Sequence, residues 1–112
     1  MIDNSKSYLR ALVSESRNSV KSLGYQQLTV SGSVQNLTIP TGATYALCVI
    51  ESIGTGIVAR VLQNKASVVS AGVGMPLYAG SILDISDFAN LDGFQIIQES
   101  ASTTKINIEY FK

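Results

Sequence analysis

From Gly24 onward, turn signals recur about every ten residues, and the segments between them alternate or run apolar for only four to eight positions. A parallel α/β fold needs crossover connections of about ten or more helical residues, and this spacing leaves no room for them. Leu28 and Val30 alternate with Gln27, Thr29 and Ser31, and Leu37 and Ile39 alternate with Asn36 and Thr38 before Pro40-Thr41-Gly42 breaks the run. Residues 45–50 are apolar on both faces, the mark of a central strand, and 57–62 follow with Arg60 turned outward. One short strand is expected within the glycine-rich stretch 72–80. Strands are also expected at 82–85, 94–98 and 106–110, the last with Ile106, Ile108 and Tyr110 on one face. Asp87-Phe88-Ala89-Asn90-Leu91 has room for a single helical turn. Seven or eight short strands of this kind predict an all-β fold, a single antiparallel β-sandwich or jelly-roll-like domain.

The residues before Gly24 are of another kind. Residues 1–21 carry four bases against two acids, a net +2, and residues 22–112 carry four bases against six acids, a net −2. Leu9, Leu12, Val13, Val20 and Leu23 fit one helical face imperfectly, with a gap at Ser16, and five serines weaken helix propensity. The organisation expected is an N-terminal arm over 1–24, extended or part-helical, and a β-sandwich domain over 25–112.

Composition then removes whole classes of function. The chain has no histidine, so the commonest general base and the commonest neutral metal ligand are missing. Asp84, Asp87 and Asp92 lack the alternate-position oxygens and terminal glutamate of a calcium loop. The glycines of 72–80 lack the Lys-Ser/Thr of a phosphate loop. Cys48, the single cysteine, lies in an apolar run with no cation near it in sequence, as a buried thiol would. No enzyme activity, cofactor or metal is expected. Zero net charge argues against nucleic acid as a partner. The uncharged span 22–50 carries too many amides, serines and a proline for a membrane helix. No signal-peptide h-region is visible at the start, so a soluble protein is expected. Glu51 and Arg60, on strands consecutive in sequence, are expected to pair across one sheet. Charged residues are 14% of the chain, against about 25% in ordinary domains, while 46% are hydrophobic. That balance suits a small domain whose exterior is partly covered by partners.

Five segments, taken in order, resemble a known group. Leu37-Thr38-Ile39-Pro40-Thr41-Gly42-Ala43-Thr44-Tyr45-Ala46-Leu47, followed by Glu51, is similar to the LTVPAGATHAL segment of small accessory virion proteins of tailed bacteriophages. Val58-Ala59-Arg60-Val61, Val73-Gly74-Met75-Pro76-Leu77-Tyr78-Ala79-Gly80, Phe94-Gln95-Ile96-Ile97 and Ile106-Asn107-Ile108-Glu109-Tyr110-Phe111 follow at matching spacing. The resemblance spans about residues 27–111. It departs at Leu62-Gln63-Asn64-Lys65-Ala66-Ser67, where the group carries an Asp-Gly turn and Pro-Thr, so that loop's roles are not carried over.

The resemblance implies a capsid decoration or cement protein, a non-enzymatic virion component that bridges major capsid subunits, assembled in the host cytoplasm and working as a homo-oligomer. A tail or head–tail junction component is the alternative, and a receptor- or glycan-binding jelly-roll module, with Tyr25, Tyr45 and Tyr78 near loops, is a further one. Tyr8, Leu9, Arg10, Leu12, Val13 and Arg17 of the arm are the expected partner contacts, with the basic residues meeting acidic capsid surface.

Overall fold

The computed structural model describes residues 21–112. Seven strands and one short helix follow in the order β1 (Ser22–Thr29), β2 (Tyr45–Ser52), β3 (Ala59–Gln63), β4 (Met75–Leu77), β5 (Ile82–Ser86), α1 (Phe88–Asp92), β6 (Phe94–Gln98) and β7 (Thr104–Phe111). They form two antiparallel sheets, sheet 1 in the order β1-β7-β2-β5 and sheet 2 in the order β4-β3-β6. The expected all-β sandwich is therefore the fold.

The chain wraps from one sheet to the other as a jelly roll does, with its second strand reduced to a single residue. Between β1 and β2, Gln35 bridges Ile96 on the free side of β6, exchanging both main-chain hydrogen bonds at 3.0 Å. The rest of that edge is satisfied piecemeal: Gln98 N donates to Ser31 O, and the Asn36 side chain donates to Phe94 O. The expected strand over Leu37 and Ile39 is absent for this reason. Isolated main-chain bonds at Gln35 and Ser31 and the Asn36 side chain take the place of a ladder, and Leu37 and Ile39 still pack against the core. Their alternation reports burial without pairing.

The core fills the space between the sheets. Ala46, Cys48 and Ile50 of β2, Ile85 of β5 and Ile106, Ile108 and Tyr110 of β7 meet Ala59 and Val61 of β3 and Phe94 and Ile96 of β6. Each fully buried isoleucine contributes about 1.5–3 kcal/mol relative to exposure. The Tyr110 hydroxyl, which burial alone would leave stranded, donates to Gln26 Oε1 at 2.6 Å. Strand β1 begins at Ser22, two residues ahead of Gly24, where the hydrophobic period changes, and its ladder has a bulge between Ser22 and Gly24. The expected helical turn is present as α1, with Asp87 as its N-cap.

Candidate interaction face

The residues that individually suggest sites have structural duties instead. Asp84 accepts a hydrogen bond from the Tyr45 hydroxyl, Asp87 caps α1 and accepts from Ala89 N, and Asp92 pairs with Lys65 at 2.5 Å. Three acids with three separate structural duties do not converge on a cation. Cys48 is fully buried, and burial above all, with Asp84 adding to it, pushes its thiol up to about 12. A thiol so rarely ionised is no nucleophile. Among the described residues no group of three or more His, Cys, Asp or Glu could hold a metal, and no helix is long and apolar enough to cross a membrane. A groove of about 550 Å³ beside Leu37, Val68 and Gln95 has its polar groups committed. The Lys65–Asp92 pair lies on it, and the Gln95 amide donates to Asn64 O and Ser67 O while accepting from Val69 N.

Arg60 does not meet Glu51. Strands β2 and β3 are consecutive in sequence but belong to different sheets, because the connection between them crosses the sandwich. Arg60 instead lies 3.3 Å from Glu99 and donates to Gly74 O, and Glu51 stands opposite Lys105 on β7. Tyr25, Tyr45 and Tyr78 form no shared platform. Tyr25 is on the edge strand β1, Tyr45 two strands away on β2, and Tyr78 in the tight turn before β5. The hydroxyls of Tyr25 and Tyr45 are taken by Asn107 and Asp84. Tyr8, Leu9, Arg10, Leu12, Val13 and Arg17 lie outside the described residues.

What the structure does assemble is a flat face. Strand alternation sends Tyr25, Gln27 and Thr29 of β1, Lys105, Asn107, Glu109 and Phe111 of β7, Tyr45, Leu47, Val49 and Glu51 of β2, and Ile82, Asp84 and Ser86 of β5 to the outer side of sheet 1. Register places them in rows, Tyr25–Glu109–Leu47–Asp84 and Gln27–Asn107–Val49–Ile82. Asn107 ties the second row together, accepting from Tyr25 and Gln27 and donating to Glu51. Glu109 accepts from Ser22 at 2.9 Å, and the rings of Tyr45 and Phe111 pack 5.6 Å apart at a tilt of 46°. Between these polar clusters Leu47, Val49 and Ile82 make an apolar strip, with Ile82 66% exposed and Tyr25 64% exposed.

Charge is concentrated on this face. Glu51, Asp84 and Glu109 oppose a single base, Lys105, a net −2, and the remaining acids and bases of residues 22–112 cancel. The three face carboxylates accept from neutral donors, and among the described residues no Lys or Arg forms an ion pair with them. Tyr45 is pushed up to about 12, first by its hydrogen bond to Asp84 and then by burial and the Asp84 charge.

The outer side of sheet 2 shows the contrast. Gln95 and Ile97 of β6 point away from the core yet are buried, and residues 64–74 fold over Gln95 and bond to it. Val69 of that segment is buried, and Gly74, at φ +130°, closes the segment where a Cβ would come within 2.8 Å of Val69. The face of sheet 1 went unrecognised in the sequence, although its signal was there: residues 45–50 are apolar on both sides, and only one of those sides meets the core. No family model matches the chain, and neither a curated protein nor a solved structure matches it.

Proposed function

We propose that this protein is a structural, non-enzymatic component of a tailed-phage virion, a decoration or cement protein that bridges major capsid subunits and stabilises the head. The reading starts from the ordered resemblance over residues 27–111. The observation that supports it best is the open face of sheet 1: among the described residues one broad side of a well-filled core is left bare, apolar along a strip and rich in hydrogen-bonding groups. Exposed apolar area rimmed by polar residues is the usual mark of a protein-binding surface. Cement action then follows from multiplicity. Each copy contributes a modest contact, and a lattice of copies bridging adjacent subunits acts together.

Size sets a condition on this reading. Four strands at about 4.8 Å spacing and eight residues at about 3.3 Å rise give a face of roughly 500 Å². A stable interface buries about 800 Å² per partner. The accessible area of a face studded with side chains exceeds its flat outline, so this face is of the size that one such contact needs.

The test is co-sedimentation of the purified protein with heads lacking it, scored by stoichiometry. Saturable binding near one copy, or a fixed fraction, per capsid subunit is the expected result. Association with tails, or only a few copies per particle, would replace the cement mechanism with a junction role. Absence of binding to any virion part would end the reading.

A further inference from the structure

We propose that the partner of the open face of sheet 1, the surface on which the proposed function draws, is residues 1–20 of a second copy of this chain, so that copies join by exchanging arms and meet the capsid as a joined unit rather than each through this face. Charge is divided between the two parts. Glu51, Asp84 and Glu109 against Lys105 give the face its net −2, which is the entire net charge of residues 22–112. The arm with Lys21 holds the whole of the opposing +2, through Lys6, Arg10, Arg17 and Lys21 against Asp3 and Glu15. The neutral chain thus separates into a basic segment and an acidic face. Elsewhere on the body four of the six charges pair locally, Arg60 with Glu99 and Lys65 with Asp92. The segment also carries apolar side chains for the strip of Leu47, Val49 and Ile82, namely Tyr8, Leu9, Leu12 and Val13.

Lys112 N donates to Lys21 O at 2.9 Å, so the β1–β7 ladder holds the chain as far as Lys21, and residues 1–20 are tethered at that corner of sheet 1. Twenty residues reach up to about 70 Å when extended, ample to cross a neighbour's face roughly 26 Å long.

The test uses full-length protein in two charge-reversed forms. One reverses the face, Glu51→Lys with Glu109→Lys, and the other reverses the arm, Arg10→Glu with Arg17→Glu. All four positions lie on exposed surface or in the arm, and the urea midpoint of each form should match that of the parent, which verifies folding. In sedimentation velocity the parent is expected to be larger than a monomer at low salt and to dissociate as salt rises. Each reversed form should associate on the order of tenfold more weakly, or not at all. Their equimolar mixture should associate again, because a reversed arm from one form now meets a reversed face on the other. A parent that is monomeric throughout, reversed forms that assemble like the parent, or a mixture that stays monomeric would each overturn arm exchange. A monomeric parent that still saturates phage heads would overturn it while leaving the proposed function standing, and an oligomer that ignores virion parts would do the reverse.

Discussion

The outer side of sheet 2 is closed by residues 64–74, whereas the outer side of sheet 1 is bare among the described residues, although the two sheets share one core. On the closed side, outward positions behave as interior ones. Gln95 is buried and satisfied three times over by the covering segment, and Arg60 is drawn between Glu99 and Gly74 O. On the open side, outward positions hydrogen-bond to one another in the plane of the sheet, through Asn107, Glu109 and Asp84. A covered face commits its polar groups to its own chain. An open one keeps its apolar strip available to another.

Gly74 offers the sharpest way to break that contrast. Alanine there would adopt φ +130° with its Cβ 2.8 Å from Val69 and 3.0 Å from Val61 O. Strain and overpacking together predict a loss of about 3 kcal/mol in urea denaturation. A loss below about 1 kcal/mol would mean that the cover yields and is no extension of the core. Gln95→Ala comes next, leaving Asn64 O, Ser67 O and the Val69 amide without their partner, with an expected cost of about 2 kcal/mol and faster hydrogen exchange at Val69.

Alkaline titration compares the open face with the core. Tyr45 on the face and Tyr110 in the core are both raised to about 12, the first chiefly by its bond to Asp84, the second chiefly by burial. In the folded state both keep their protons where the unfolded chain, near the ordinary value of 10, has lost them. Their contribution to stability is therefore fully present below pH 10 and is lost as pH rises towards 12. In ultraviolet titration, Asp84→Asn should shift the Tyr45 step back towards 10 and leave the Tyr110 step in place. A change in neither would mean that Asp84 does not hold the Tyr45 proton. The smallest expected effect is that of Ile82→Ser on the open face, within about 0.5 kcal/mol of the parent by urea denaturation. A loss above about 1 kcal/mol would show the strip to be already filled by the same polypeptide.

Much of this architecture was legible in the sequence. Ile106, Ile108 and Tyr110 line up on the inner face of β7 as their alternation predicts, and Cys48 is in the core. The Glu51–Arg60 pairing was not legible, because strands consecutive in sequence cross between sheets, and sequence order alone does not say which connections cross. The replacement of a strand by a one-residue bridge at Gln35 and the Asn36 side chain was equally hidden, since apolar alternation at Leu37 and Ile39 looks the same whether a full ladder or isolated bonds complete the edge. The open face was half visible. Two-sided apolarity at residues 45–50 marked a strand with something on each side, but only the folded sheet brings Glu51, Asp84 and Glu109 to one surface from three strands.

The bond from Lys112 N to Lys21 O puts the two ends of the described chain at one corner of sheet 1, on antiparallel neighbours. That arrangement governs how the domain resists force. Tension applied between residues 21 and 112 would open the β1–β7 ladder one rung at a time, starting at the bulge beside Gly24, and would meet little resistance. Tension applied between residue 21 and a point held through β2 would load every rung of that ladder in shear together. A copy anchored by its sheet and pulled by its N-terminal segment would thus carry load in its strong direction, and a passenger fused after Lys112 and pulling against an anchored N-terminal segment would load it in its weak one.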